Sequence, residues 1–247
     1  NVGISGWSTT AVNTMNSMFK DAIAFDQLIN HNDCYWNVST VTDMSGMFMN
    51  ASSFDNPLDK WDTINVTTMD SMFKGASTFD QDISGWNTSK VTTMHSMFKD
   101  AAVFDQNINY ADCGEHPKKW DVSSVLTMKS TFEGASEFNG NITDWEVLNV
   151  TTMDSMFEDA ASFNQNIHSW TVSGVTTMKE MFKDAIVFNQ DISGWNTSNV
   201  TTLESMFYGA YVFNQNISDW NTSSGVTMET MFYGASGFNN GGAILDW

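Results

Sequence analysis

Arginine is absent from this chain of 247 residues, and its only fixed cations are ten lysines, set against 29 aspartates and glutamates for a formal charge of −19. Nucleic acid is excluded as a natural partner by that balance, because phosphate binding requires a basic footprint and arginine is its usual bidentate reader. The acidity points instead to cation association, colloidal solubility or a saline medium. No DxDxDG-type loop accompanies it, so a solvated acidic surface is a simpler reading than calcium sites. No apolar run approaches the roughly 18 residues of a membrane span, which predicts a soluble protein with no membrane insertion. The GxSxG, HExxH, phosphate-loop and dinucleotide fingerprints are missing, and no carboxylate pair lies in an isolated apolar setting. The expectation is a non-enzyme with no catalytic residues and no cofactor. The chain also lacks an initiator methionine and any signal-like segment. It starts at Asn1 and ends on Trp247, where a further repeat would begin, so a processed chain or part of a longer one is expected.

What is present is one unit of 25 residues written nine times, with Trp at 7, 36, 61, 86, 120, 145, 170, 195 and 220 opening each copy. All 18 Phe and 16 of the 17 Met fall in fixed slots of that unit, so the repeat carries the whole core. About eight apolar side chains per unit, at roughly 1.5–3 kcal/mol each when buried, cannot offset an ordering cost of about 1–2 kcal/mol per residue. One unit alone is therefore unstable, and the period predicts a single stacked solenoid domain over residues 1–247.

In the copy opened by Trp86, the apolar slots are Trp86, Thr88, Val91, Met94, Met97, Phe98, Ala101, Phe104 and Ile108. The three-residue advance over TTMHSMFKDA predicts a short α-helix or 3₁₀ turns, with Thr92 and Thr93 placed to cap its start. Two residues after each Trp the slot is β-branched in every copy, which predicts a strand of three or four residues. Paired from turn to turn, such strands would form a parallel sheet with rungs about 4.8 Å apart, so that nine turns span roughly 45 Å. The invariant alanine, Ala101 here, is read as a close-packing position, and the double Met stripe as adaptable core filler. FNQxI or FDQxI corners, such as Asp80-Gln81 and Asn189-Gln190, are expected to bond the turns above and below.

Units such as WNTSNVTTLESMFYGAYVFNQNIS (residues 195–218) resemble the surface-protein repeat of the DUF285 and BspA-like group, related to leucine-rich repeats. The resemblance covers nearly the whole chain. It implies an α/β, right-handed, leucine-rich-repeat-like solenoid of about nine turns, each with one short parallel strand at the Trp and a short α or 3₁₀ helix at the Met-Phe segment. It also implies secretion or display at the cell surface, with roles in adhesion and protein interaction, and no catalytic residues. Departures from the pattern are Thr131 and Leu203 in Met slots and Gly225 in the Val slot.

The only cysteines sit in the only large insertions, of four residues before Trp36 and nine before Trp120. Both insertions extend the same corner, about 14 Å apart. A Cys34–Cys113 disulfide requires Cα atoms within about 7 Å, which flexible insertions could supply; two free thiols are the alternative. His31, Cys34, Cys113 and His116 form HxxC facing CxxH, the donor set of a tetrahedral zinc site, although a secreted context favours the disulfide. His95 and His168 occupy slots of solvated residues. Nine NxS or NxT sequons, at Asn37, Asn65, Asn87, Asn141, Asn149, Asn196, Asn199, Asn216 and Asn221, belong to the repeat itself and are candidate glycosylation sites.

Specificity has to come from slots that vary. The residues after Trp (Asn37, Asp62, Asn87, Asp121, Glu146, Asn196 and Asn221 among them) and those before it are expected to point outward from one face. That face is the expected contact surface for a protein or glycan partner on the cell surface or in the matrix, or within a larger assembly. The alternatives are a cation-binding surface and an ice-binding one. The second is prompted by Thr14, Thr68, Thr93, Thr152, Thr177, Thr202 and Thr227, though it requires a flat strand ladder whereas these lie at expected helix starts.

Overall fold

The structure is a computed structural model that describes residues 3–31, 34–110, 120–223 and 225–244. Within each repeat the backbone turns sharply several times. Around Trp86, the Trp86 N–H donates to the Ile83 carbonyl at 3.0 Å, and the Val91 N–H to that of Thr88 at 2.8 Å. Two such β-turns leave only residues 86–88 between them, too short a stretch for a strand ladder. Thr88 makes the connection with its side chain instead, its hydroxyl donating to the Asp121 carbonyl at 2.9 Å, as Thr63 does to Asn87.

The Met-Phe segment uses its amides alternately. Met94, Ser96, Phe98 and Asp100 donate to Thr127, Lys129, Thr131 and Glu133 of the next repeat, while Met97, Lys99 and Ala101 donate back to Met94, Ser96 and Phe98. Half of the amides thus tie repeats together and half close i→i+3 turns, which accounts for the polar backbone of a buried wall. The pattern needs two residues per repeat in the left-handed region, Ser96 at φ 55° and Asp100 at φ 58° in this copy. All nine repeats show the same pair, from Ser17 and Asp21 to Thr230 and Gly234.

The expected α/β solenoid, with a strand and a helix in every turn, is therefore not what the chain forms. A left-handed residue every fourth position interrupts the right-handed run that a helix requires. Among the described residues, regular elements are limited to a two-residue antiparallel pair, Asn30–His31 with Cys34–Tyr35, and a 3₁₀ turn, Asn240–Gly242. Elsewhere the pairing is one parallel bridge per repeat, running Thr14, Asp43, Thr68, Thr93, Thr127, Thr152, Thr177, Thr202 and Thr227. Those residues start no helix; Thr93 accepts the His95 N–H, and Thr202 that of Glu204, in local hydroxyl turns.

The repeats nevertheless stack, and their side chains form one continuous core from Met15 to Met231. Phe19, Phe48, Phe73, Phe98, Phe132, Phe157, Phe182, Phe207 and Phe232 make one column, with ring centroids 5.5 to 5.8 Å apart. A second column runs from Phe25 to Phe238, and the two phenylalanines of each repeat lie offset-stacked at 3.8 to 4.1 Å. The tryptophans from Trp36 to Trp220 are buried beside them. Seven of the indoles, those of Trp36, Trp86, Trp120, Trp145, Trp170, Trp195 and Trp220, donate to the carbonyl of an Ile or Leu one repeat earlier. Ring contact, joined in seven repeats by an indole hydrogen bond, so ties each repeat to its neighbour; the buried Nε1 of Trp61 has no hydrogen-bond partner among the described residues.

The amide corner works as a ladder. The Asn164, Asn189, Asn214 and Asn239 amides each donate to the side-chain oxygen of the equivalent asparagine one repeat before, and Asp55, Asp80 and Asp105 accept in the same way.

Candidate functional site

Trp61, Trp86, Trp145, Trp170 and Trp195 each sit between two tight turns, so the residues on either side are carried at the surface by a buried anchor. For Trp36 and Trp120, which follow the insertions, the described residues show only the second turn, and Trp7 is 54% exposed. The slot after Trp serves the backbone first. Asn37, Asn87, Asp121, Asn196 and Asn221 accept the N–H two residues on, at 2.9 to 3.1 Å, and Asp62 does so at 3.2 Å. This local bond fixes the turn that follows. Exposure along the row varies: Asp62, Glu146, Asn196 and Asn221 are exposed and Asn37 half-buried, whereas Asn87 and Asp121 are buried at 8% and 6%. The row is thus not a uniform outward face.

Two recesses open along these segments. The larger, of about 620 Å³, is lined by Tyr110, Thr143, Asp144, Trp145, Glu146, Val147, Leu148, Ser169 and Thr171. The smaller, of about 250 Å³, is lined by Trp36, Asn37, Val38, Ser39, Lys60 and Asp62. In the larger one Asp144 is locked in place: Asn109 Nδ2 donates to its Oδ2 at 2.8 Å, and its own N–H donates to Asn109 Oδ1 at 2.8 Å. The Ser169 hydroxyl donates to the Thr143 carbonyl at 3.1 Å. Buried Trp145 and Val147 make an apolar base, while Leu148, 55% exposed, and Glu146 stand at its rim. An apolar group carrying hydrogen-bond donors or positive charge suits these walls. Leu148 marks the place in the sequence, since the same slot holds Ser in six other repeats (Ser39, Ser89, Ser123, Ser173, Ser198 and Ser223).

At the first insertion, His31 and Cys34 are register partners across the short antiparallel pair. Cys113 and His116 lie outside the described residues, and with them the Cys34–Cys113 bond and the four-residue zinc set. Among the described residues no group of three His, Cys, Asp or Glu is placed to hold a metal ion. His95 is exposed, and His168, also exposed, lies 3.6 Å from Asp191. Asp191 is held below the usual carboxylate range by the Ser193 backbone and hydroxyl, with His168 adding to the effect.

All nine sequon asparagines already bond within the fold. Asn65, Asn149 and Asn199 use Nδ2 to reach the Ser39, Ser123 and Ser173 carbonyls of the preceding repeat, each at 2.8 Å. Asn141 and Asn216 join Asn37, Asn87, Asn196 and Asn221 in accepting an N–H two residues on. Beside the bridge row runs a second, exposed threonine row. Thr67, Thr92, Thr151, Thr176 and Thr201 donate their hydroxyls to the carbonyl of the equivalent residue one repeat earlier. Leu126 interrupts it.

Electrostatic strain is local. Asp159 is pushed above the usual carboxylate range by burial and by the carboxylates of Asp184 and Glu158, with Lys183 opposing. Burial also pushes Asp43 upward, but bonds from the Ser45 backbone and hydroxyl, Asn16 and Thr14 outweigh it and hold the group low. Among the described residues no helix is long and apolar enough to cross a membrane.

A family model described as "Mycoplasma protein of unknown function, DUF285" matches residues 1–35, 29–118, 112–199 and 167–247 in tandem. No curated protein and no solved structure matches the chain.

Proposed function

The chain belongs to the DUF285 family, and on that footing we propose that it is a non-enzymatic repeat scaffold, secreted or displayed at the cell surface, that holds a protein or glycan partner against its tryptophan segments. The observation that carries this reading is the recess at residues 143–148. It combines an apolar base, a rim leucine, Tyr110 and two acids, the mixture that takes an amphipathic group and orients it by hydrogen bonds. A sugar ring resting on Tyr110 and Leu148, or a peptide side chain ending in an amine, suits it. In the recess lining Asp144 is held by Asn109 and Ser169 by Thr143, fixed hydrogen-bonding groups that support a binding role. Adhesion and membership of a larger assembly are the two forms that such binding takes.

Recovery of partners from the native source with the unaltered chain, followed by Leu148→Ser and Glu146→Lys variants, tests the proposal. Each substitution is expected to weaken partner binding about tenfold or more, as for an interface anchor. Partner binding that is indifferent to both substitutions would overturn the assignment of this face. A stoichiometric complex favours assembly, and a matrix or host ligand favours adhesion.

The threonine rows favour a second reading, binding to ice, because the bridge row is a true rung-to-rung ladder. Asp43 interrupts one row and Leu126 the other, and the outer hydroxyls are spent as donors to the backbone. Thermal hysteresis in a solution of the chain would support it; its absence ends it.

A further inference from the structure

Between the Ala and the second Phe of each repeat lie two outward slots, filled by small or polar residues in several copies: Ser52 and Ser53, Ser77 and Thr78, Ser136 and Glu137, Ala161 and Ser162. Ile23 and Val103 each break that rule in one slot, and two consecutive repeats break it in both. Ile186 and Val187 are followed by Tyr211 and Val212, at 38%, 40%, 53% and 47% exposure. Next to them Tyr208 stacks on Tyr233 with ring centroids 5.0 Å apart, and Tyr233 is 65% exposed. In the next repeat the slot over Val212 holds Gly237, where a Cβ would come within 2.5 Å of the Tyr211 carbonyl oxygen, so that slot places no side chain on Val212. Three of the chain's five tyrosines are gathered here. Exposed tyrosine and aliphatic side chains brought together within a few residues on successive repeats are the composition of an interface centre rather than of a solvated wall.

The border of the patch is acidic. Asp184 lies directly over Gly209, its Oδ1 within 2.0 Å of where a Cβ on that glycine would stand, and its backbone N–H donates to the Tyr208 carbonyl at 2.7 Å. Asp159 is close enough to Asp184 to feel its charge. Lys183, next to Asp184 in sequence, is already bound to Glu158 at 2.6 Å.

We propose that Ile186, Val187, Tyr208, Tyr211, Val212 and Tyr233 form a docking surface for a segment of a partner protein that presents apolar side chains with lysine or arginine beside them. Charge decides the occupant. A second copy would bring another body of −19 with no arginine against this acidic border, and an anionic membrane would be repelled by the same field. A basic, apolar segment gains both the patch and its border. The surface is separate from the recess at residues 143–148, and its test stands apart from that reading.

Three 14-residue peptides serve as probes for the full chain in titration calorimetry: an amphipathic one of leucine, tryptophan and lysine, its counterpart with glutamate for lysine, and a lysine-glycine peptide of equal charge. The first is expected to bind. The Tyr211→Ser/Val212→Ser variant should weaken it about tenfold, and Asp184→Asn about threefold. Leu148→Ser should leave it unchanged, and the lysine-glycine peptide should not distinguish Tyr211→Ser/Val212→Ser from the parent chain. Tyr233→Ser, one repeat further on, provides an independent variant, with melting curves confirming that each folds. Equal binding by the glutamate peptide, or affinity indifferent to the patch substitutions, would overturn the proposal. So would sedimentation showing self-association that the patch variants abolish, which assigns the surface to a second copy. Binding to phosphatidylglycerol vesicles lost in the same variants would assign it to a membrane.

Discussion

Conformation at single residues decides which side chains the stack tolerates. Gly209, at φ 64°, faces Asp184 Oδ1 so closely that a Cβ would force that carboxylate to shift, and Gly134 stands in the same relation to Asp100. Where one repeat places Asp or Asn in the left-handed slot, the next can relieve the crowding with glycine. Gly209→Ala is therefore expected to cost about 1–3 kcal/mol, from strained φ plus collision; Asp100→Asn, which keeps a residue suited to that φ, should cost well under half as much in urea unfolding. Asp159 makes the complementary case for charge. Its raised pKa means that ionisation is less favourable in the folded chain, so it subtracts stability above its folded-state pKa and nothing once protonated. Asp159→Asn should melt higher than the parent at about pH 7, with the difference closing as pH falls towards about 3. A difference constant across that range would refute the electrostatic origin. Asp43 and Asp191, whose pKa values are lowered, add stability above the ordinary carboxylate pKa and lose it as pH drops through their folded-state values.

At the level of the element, the molecule uses a turn that serves two directions at once. Amides of Met94, Ser96, Phe98 and Asp100 point to the next repeat and those of Met97, Lys99 and Ala101 point back. Hydrogen exchange should find the amides of Ser96 and Phe98 protected together with those of Met97 and Ala101, and that of exposed His95 fast by comparison. A helix capped by Thr93 would leave the Ser96 amide, like that of His95, without an intrahelical partner in its first turn, so protection of Ser96 separates the two conformations. This element was only half legible in the sequence. Met94, Met97, Phe98 and Ala101 repeat at a spacing that consecutive i→i+3 turns satisfy as well as a helix does, so burial could be read but conformation could not. The decisive signal was the column Asp21, Asn50, Gly75, Asp100, Gly134, Asp159, Asp184, Gly209 and Gly234, restricted to the residue types that best tolerate positive φ. The β-branched slot after Trp suggested a strand for a similar reason: Thr88 and Thr63 are buried, yet connect repeats through hydroxyls rather than through a ladder. Leu148, standing where most repeats have serine, was a visible pointer to the recess. Burial of Asn87 and Asp121 was not visible, because equivalent slots elsewhere are open to solvent.

For the whole molecule, the phenylalanines stacked from repeat to repeat and the seven indole bonds to an earlier repeat mean that no repeat completes its own core. Stability should then be a sum of unfavourable single-repeat terms and favourable interfaces between neighbours. The same arrangement places variable residues on a regular frame, which is how the recess at residues 143–148 and the tyrosine patch come to occupy separate parts of one scaffold. Urea unfolding of chains carrying three, five, seven and nine repeats, followed by tryptophan fluorescence, tests this dependence most directly. The midpoint should climb with each added pair of repeats and begin to level off in the longest chains, while a one-repeat peptide stays unfolded. A midpoint independent of repeat number, or a single repeat that folds alone, would contradict it.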